Sequence, residues 1–211
     1  MSQPYVSTLS LATSKPVILA SASQSRAQML SAAGVHFQAI PAYVDEETAK
    51  QSLKADGADA LSAAETLAEL KAVKVSLAHP QALVIGADSI LDLGGEWFDK
   101  PPDLDHAKAH LMTLRGRTHH LATAAVVALG GKRIWHVQDR PSLTMRRFSD
   151  AFLDAYISDV GAPLLSSVGA YHLEGRGVHL FEKVDGDFFS ILGLPLLPLL
   201  SFLREHNVVM S

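Results

Sequence analysis

Apolar runs of strand length alternate with segments of helical periodicity in the first part of the chain. The run Val-Ile-Leu-Ala at 17–20 predicts a short buried strand, and the apolar spacing over 27–33 predicts a helix directly after it. Ser23 and Ser25 are both suitable N-caps for that helix. A second strand is predicted at 37–40. The pattern therefore indicates a strand-helix-strand unit.

The next segment predicts one long helix and one buried strand. The polar stretch over 47–61 is typical of a surface helix or linker. The capping box that starts at Ser62 predicts a helix to about Ala78. The apolar run at 83–87 predicts a strand that ends at Asp88, before a glycine-rich hairpin turn.

Strands dominate the second half of the chain. A helix is predicted from Asp103 or Asp105 to about Arg115, and a hairpin is predicted around Gly130 and Gly131. The remaining predicted elements are a helix capped by Ser149, strands near 170–173 and 178–184, and a C-terminal helix led by Pro195. Early alternation followed by hairpins predicts a mixed α/β fold.

Composition narrows the classes of function. The 211 residues carry a formal net charge of -4, which argues against a general nucleic-acid-binding protein. An anionic ligand would need positive charges that are concentrated locally. The chain contains no cysteine, which excludes disulfides, zinc-thiolate sites and thiol catalysis.

The ends of the chain predict neither secretion nor membrane insertion. Residues 1–14 are polar and read as a loose tail, followed by a single two-lobed domain over 15–211. The most apolar segment, 191–203, is too short for a membrane span and contains two prolines. We therefore expect a soluble cytoplasmic protein.

The turn after the first strand is a candidate phosphate site. Ser21 and Ser23 are small, the helix that follows offers free N–H groups, and Arg26 can add a bidentate clamp. The alternative is a capped turn without a ligand. Both common glycine-rich phosphate motifs are absent.

Three further positions carry candidate chemistry. Asp88, at the predicted strand end, is suited to bind a divalent cation or to act as a general base, or it caps a turn. Lys100 is constrained by two following prolines and offers a point charge for phosphate. The acidic segment 45–47 is either a solvated loop or a metal-facing carboxylate pair.

The histidines do not predict a metal site. His106 and His110 share a helix face but lack a third ligand at recognisable spacing. His119 and His120 are neighbours in a strand, so their side chains point to opposite faces. The serine-hydrolase elbow motif is also absent.

The chain resembles the Maf-like nucleoside triphosphate pyrophosphatases from about residue 17 to about residue 205. The motifs that carry the resemblance follow in the expected order: VILASASQSRAQML, VDEE, LAELKA, VIGADS, FDKP, LRGRTHH, VGAYHLEG and FEKVDGDFFSILGLPLLPLL. The resemblance implies an elongated α/β fold with a deep central cleft between two lobes, similar to inosine-triphosphate pyrophosphatases.

The resemblance also implies an activity, a cofactor and a set of residues. The reaction would cleave a nucleoside triphosphate to the monophosphate and pyrophosphate with Mg²⁺ or Mn²⁺. Asp88 matches the proton acceptor of the family, and Glu46 matches an acidic residue that would share the cation with it. Arg26, Lys71 and Lys100 match the basic positions and would supply positive charge. Lys71 and Lys100 are expected to be catalytic residues together with Asp88 and Glu46, whereas Ser21, Ser23 and Arg26 would bind the triphosphate.

Three departures concern the base. Ser25, Ser89 and Glu174 stand where members that prefer dTTP or UTP carry Arg, Thr and Gln. We therefore expect a different base, with guanine or a modified base favoured because a carboxylate only accepts hydrogen bonds. Ser25, Ser89 and Glu174 are the predicted base-recognition residues.

Two other functions stay open at this stage. A non-catalytic nucleotide-binding regulator of cell division is one, since the loss of arginine at Ser25 lowers the local charge. A nucleotidyltransferase is the other, and it would need an acceptor pocket. A nucleotide substrate, no nucleic acid and no membrane partner are expected, and a homodimer is left open.

Overall fold

The computed structural model describes residues 15–210, so the predicted tail over 1–14 lies outside the described residues. The strands are β1 Val17–Leu19, β2 Gln38–Ala39, β3 Leu83–Leu93, β4 Glu96–Phe98, β5 Thr118–Leu129, β6 Lys132–Asp139, β7 Ser142–Met145 and β8 Phe181–Asp185. The α-helices are α1 Gln24–Ala32, α2 Glu46–Ala55, α3 Ala60–Ala78, α4 Leu104–Leu114, α5 Asp150–Val160, α6 Phe188–Ile191 and α7 Leu196–Glu205. Short 3₁₀ helices cover Ala162–Ser166 and Arg176–Leu180.

The strands form one mixed sheet. Its order is β2-β1-β3-β5-β7-β8, with β4 paired to β3 and β6 paired to β5. The pairs β1–β2 and β1–β3 are parallel, and the other pairs are antiparallel. The prediction of a mixed α/β fold is confirmed.

The long strand β3 changes neighbours along one of its edges. On the side away from β5, β1 pairs with residues 83–85 and β4 pairs with residues 91–93. On the other side, β5 pairs continuously with residues 84–92. The edge of β3 between β1 and β4 therefore lacks a neighbouring strand, and Asp88 lies in this gap.

Helices cover both faces of the sheet. Alanines and Leu67 of α3 pack against Ile90 and the alanine-rich face of β5. On the other face, α1 and α7 pack against β1, β3 and β5, with Leu30 and Phe202 in that core. Alternating side chains of β3 thus reach two different helical layers.

Close contact between α3 and β3 depends on Gly86. A Cβ atom at this position would lie 2.8 Å from the backbone nitrogen of Ala72 and would also collide with the carbonyl of Ala68. The missing side chain lets α3 approach the strand closely. This approach brings Lys71 of α3 beside Asp88 of β3.

A third core cluster lies around α4, α5 and β7. It includes Leu111, Leu143, Leu153 and Tyr171.

Within residues 15–210 no helix combines the length and apolar character that crossing a membrane requires.

Several sequence predictions of local structure are confirmed. Ser23 caps α1, Asp103 caps α4 and Ser149 caps α5. The hairpin between β5 and β6 turns at Gly130 and Gly131, which both have positive φ.

The prediction that the strand ends at Asp88 is wrong. The polar pair Asp88 and Ser89 interrupts the apolar run, but backbone pairing with β5 continues through both residues. Hydrogen bonding to a neighbouring strand is not visible in the local sequence, so the run of apolar residues underestimates the length of the strand.

Two helix starts and one predicted strand also differ from the structure. Glu46 begins α2 rather than lying in a loop, because Asp45 caps the helix by accepting from the Thr48 amide at 3.1 Å. Asp59, not Ser62, caps α3, accepting from the Ser62 amide at 2.7 Å. Residues 170–173 are not a strand, because Ala170 takes a positive φ of 55° within a turn.

Candidate active site

A cavity of about 800 Å³ opens beside the strand-free edge of β3. All ten residues that the sequence singled out line it, although they come from six separate parts of the chain. They are Ser21, Ser23, Ser25, Arg26, Glu46, Lys71, Asp88, Ser89, Lys100 and Glu174. Their individual roles stay predictions.

The serine-rich turn forms one wall of the cavity. Ser23 accepts a hydrogen bond from the Arg26 amide at 3.4 Å and so begins α1. The Ser21 hydroxyl accepts from the Ser23 amide at 3.2 Å. The first N–H groups of a helix have no acceptor inside the helix, so those that Ser23 does not bind are available to a ligand.

Arg26 is held by neutral partners. Its Nε donates to the Gly193 carbonyl at 2.7 Å, Nη1 donates to Ser21 at 3.2 Å, and Nη2 donates to Ser89 at 3.4 Å. Burial lowers the pKa of Arg26, while the negative charges of Asp88 and Glu46 oppose this shift. Within residues 15–210 no carboxylate forms an ion pair with this guanidinium, so its charge is available to an anionic ligand.

Lys71 joins two carboxylates at the floor of the cavity. Its Nζ lies 2.6 Å from Asp88 Oδ1 and 3.0 Å from Glu46 Oε1. Lys71 and Asp88 are only 6% and 4% exposed, whereas the side chain of Glu46 is about half exposed. The ammonium therefore compensates a buried carboxylate and orients a second one.

The other oxygen of Asp88 has no partner. Asp88 Oδ2 is buried and makes no hydrogen bond to any residue within 15–210. A buried carboxylate oxygen without a donor is expected to bind a cation, a water molecule or a ligand proton. This oxygen is therefore the candidate position for a cation or a reacting proton.

The donor set fits a hard divalent cation that a substrate helps to bind. The described residues contain no group of three or more histidine and carboxylate side chains placed to hold a metal by themselves. Mg²⁺ usually takes only one or two protein carboxylates and completes its shell with water and phosphate oxygens. Asp88 Oδ2 and the half-exposed Glu46 supply such a pair.

Lys100 and a further ion pair also line the cavity. Lys100 is exposed and forms no ion pair within the described part of the chain. Partial desolvation lowers its pKa, and the positive charges of Arg26 and Lys71 add to that shift. Lys50 of α2 lies 2.8 Å from Asp99, the residue before Lys100.

Lys50 and Asp99 were missed in the sequence. Lys50 follows Glu46 by four residues, so both lie on one face of α2. The polar stretch over 47–61 is typical of either a surface helix or a linker. A prediction of a helix from Glu46 would have placed Lys50 on the same face as Glu46.

Glu174 lies in a different wall of the cavity, beside a histidine that the sequence did not single out. His172 Nδ1 is 3.5 Å from Glu174 Oε1. This contact lowers the pKa of Glu174 and raises the pKa of His172, while burial opposes both shifts. Ser166, Ser167 and Tyr171 line the same wall.

Tyr171 connects this wall to a buried histidine. His119 Nε2 lies 2.8 Å from the Tyr171 hydroxyl, and His119 is completely buried. Burial lowers the pKa of His119 to about 4, and the charge of His120 adds to that shift. His119 is therefore a neutral partner of Tyr171.

The cavity thus combines unpaired positive charge with a reactive carboxylate. Within the described residues Arg26 and Lys100 line it without ion pairs, while Lys71 and Lys50 are paired with carboxylates. A polyphosphate is the anion that best fits such separated cations around an acidic floor.

Comparison with known proteins identifies the family of this chain. The family model described as Maf-like protein matches residues 16–206 of the chain. The chain belongs to the Maf-like family. The resemblance inferred from the motifs is therefore confirmed.

Relatives in this family cover nearly the whole chain. A protein of Rhodospirillum rubrum named nucleoside triphosphate pyrophosphatase is 55% identical over 196 residues, covering 93% of this chain and 97% of that protein. A protein of Granulibacter bethesdensis with the same name is 53% identical, covering 92% and 98%. A 7-methyl-GTP pyrophosphatase of Mesorhizobium japonicum is 47% identical, covering 92% and 97%.

Proposed function

We propose that this chain hydrolyses a nucleoside triphosphate, including modified ones, to the nucleoside monophosphate and pyrophosphate. The observation that carries the proposal is the buried, unpartnered oxygen of Asp88 in a cavity that Arg26 and Lys100 also line, neither of which forms an ion pair within residues 15–210. The names of the Maf-like relatives, nucleoside triphosphate pyrophosphatase and 7-methyl-GTP pyrophosphatase, support the same reaction.

The triphosphate would bind to the turn before α1 and to Arg26 and Lys100. Arg26 keeps a second N–H on each Nη nitrogen beyond those used by Ser21 and Ser89, and these can donate to phosphate oxygens. Open N–H groups at the start of α1 add donors. Lys100 completes the positive wall and neutralises charge on the departing pyrophosphate.

Asp88 would act as the general base towards the attacking water. Lys71 binds Oδ1 and leaves Oδ2 free, so the proton of the water is accepted at Oδ2. The water oxygen attacks the α-phosphorus, and the bond to the bridging oxygen of pyrophosphate breaks. Lys71 and Glu46 keep the base in place during this step.

Asp88 and Glu46 would also hold Mg²⁺ or Mn²⁺. The free Oδ2 has two lone pairs, so one would face the cation, with the half-exposed Glu46 carboxylate and phosphate oxygens, and the other would remain for the proton of the water. When bound, the cation supplies charge neutralisation on the phosphates and lowers the pKa of a bound water.

Base recognition would fall to Glu174, Ser25 and Ser89. Glu174 lines the cavity and has His172 as its ion-pair partner. The Ser89 hydroxyl already contacts Arg26 at 3.4 Å and Thr123 at 3.1 Å, so it would contribute less to base recognition. Guanine offers two adjacent donors to a carboxylate. We therefore infer a preference for a guanine-type base, modified or not, over dTTP and UTP.

The deciding experiment is a panel of natural and modified triphosphates with Mg²⁺ or Mn²⁺. Monophosphate and pyrophosphate should form with water as the only acceptor, which separates hydrolysis from nucleotidyl transfer. Orthophosphate with a diphosphate product would show that the wrong bond was assigned. Binding without turnover across the panel would favour the non-catalytic regulator of cell division. Cytoplasmic location and a homodimer stay predictions.

A further inference from the structure

The neighbours of the His172 ring determine which of its two nitrogens carries a proton. Nε2 lies 3.0 Å from the Pro163 carbonyl oxygen and 3.0 Å from the Ser166 hydroxyl. The Ser166 hydroxyl donates its single proton to the same carbonyl at 2.7 Å, so its oxygen can only accept from the ring. Both neighbours of Nε2 are therefore acceptors, and this nitrogen must carry a proton.

The other ring nitrogen faces a carboxylate. Nδ1 of His172 is 3.5 Å from Oε1 of Glu174. In a neutral ring with its proton on Nε2, the Nδ1 lone pair would face this anionic oxygen and repel it. In the doubly protonated ring, Nδ1–H would attract it. The charge of His172 therefore decides whether Glu174 is held or released.

We propose that His172 is a positioning residue for Glu174: its protonated ring holds the carboxylate in the wall of the cavity, and its neutral ring releases it. This inference rests on the proposed function, because it concerns how Glu174 recognises the base. His172 contacts Pro163, Ser166 and Glu174, and the proposal gives it no part in the chemistry of the phosphates.

The surroundings of the ring leave Glu174 as its partner. Among the described residues, Glu174 is the only charged side chain that shifts the pKa of His172, and it raises it. The adjacent Tyr171 is directed to His119, and burial raises the pKa of its hydroxyl, so it stays neutral. Partial burial of His172 opposes the shift without reversing its direction.

The proposal predicts a pH-dependent KM. A raised pKa means that the pair is complete below the ordinary histidine value of 6.5 and is lost as pH rises through the raised value. The KM for GTP should rise roughly 3- to 10-fold from about pH 6 to about pH 9, the scale of one hydrogen-bonded contact. The pH dependence of kcat should be the same in wild type and in the variants, because the proposal gives His172 no contact with the reacting atoms.

Matched variants separate this effect from ionisation of the substrate. The variant His172→Gln keeps a hydrogen-bond donor that does not titrate. The KM of wild type divided by the KM of His172→Gln should therefore rise from about pH 6 to about pH 9. His136→Gln is the control, since His136 lies 2.9 Å from Glu65 in a similar pair outside the cavity. The ratio for this control should stay constant.

A titration that needs no turnover completes the test. The imidazole NMR signal of His172, assigned by its loss in His172→Gln, should titrate at lower pH in Glu174→Gln, whereas that of His136 should not move. A flat KM ratio, or an unchanged His172 titration, would overturn the proposal. Failure to hydrolyse any triphosphate would instead overturn the proposed function, and the NMR titration would still decide the role of His172.

Discussion

Replacing Lys71 with methionine tests the ion pair at the floor of the cavity. The substitution keeps most of the side-chain length but removes the ammonium that lies 2.6 Å from Asp88 and 3.0 Å from Glu46. Asp88 is 4% exposed, so its carboxylate would be left buried without its counter-ion. Glu46 is half exposed and can turn to water, so the loss should come mainly from Asp88.

The expected cost is large. Removing one partner of a buried pair destabilises a protein by about 3–5 kcal/mol, because the remaining charge is uncompensated. For a domain of this size, a loss of about 4 kcal/mol lowers the Tm by roughly 8–16 °C. Thermal unfolding followed by circular dichroism, with urea unfolding at 25 °C, measures both quantities without substrate or added metal.

Two variants make the interpretation specific. Lys74→Met changes an exposed lysine of the same helix, which donates to the Tyr43 carbonyl at 2.8 Å, and should cost about 1 kcal/mol or less. The double variant Lys71→Met/Asp88→Asn removes the uncompensated charge and should recover at least half of the loss. If Lys71→Met is as stable as Lys74→Met, or if the double variant loses the sum of both single effects, the reasoning is refuted.

Three further predictions concern catalysis, specificity and pH. Asp88→Asn should fold and lose at least ~10²-fold in turnover, because Oδ2 could no longer accept a proton. Pyrophosphate release measures the turnover, and a near-wild-type value would show that Asp88 is not the general base. Glu174→Gln should shift kcat/KM towards UTP and dTTP over GTP by about 1–3 kcal/mol in competition assays, and an unchanged ranking would contradict it. Because the pKa of buried His119 is lowered from 6.5 to about 4, the unfolded state binds its proton first as pH falls. Stability should therefore drop by about 3 kcal/mol between pH 7 and about pH 4, and urea midpoints should show a smaller drop in His119→Gln.

Local signals predicted most of the elements and several of their ends. Helix caps at Ser23, Asp103 and Ser149 depend on one side chain and the amide three residues later, so they are visible in the sequence. The glycine turn after β5 is equally local. The failures involve distant partners: β3 continues past Asp88 only because β5 pairs with it.

The candidate site follows the same division. Motifs pointed to ten residues, and the structure brings them to one cavity, but sequence could not say which of them touch. That Lys71 bridges Asp88 and Glu46 depends on Gly86, which lets α3 approach β3. His172 gave no signal, because its importance comes from Pro163 and Ser166 as well as from Glu174.

The gap beside β3 explains why a polar pair can stand inside a buried strand. Asp88 and Ser89 are held in the ladder by β5, while the missing neighbour between β1 and β4 opens their other side to the cavity. Side chains alternate along a strand, so Asp88 turns to Lys71 on α3 and Ser89 turns to Arg26 on α1. One strand thus joins the proposed base to the proposed phosphate-binding arginine through adjacent residues.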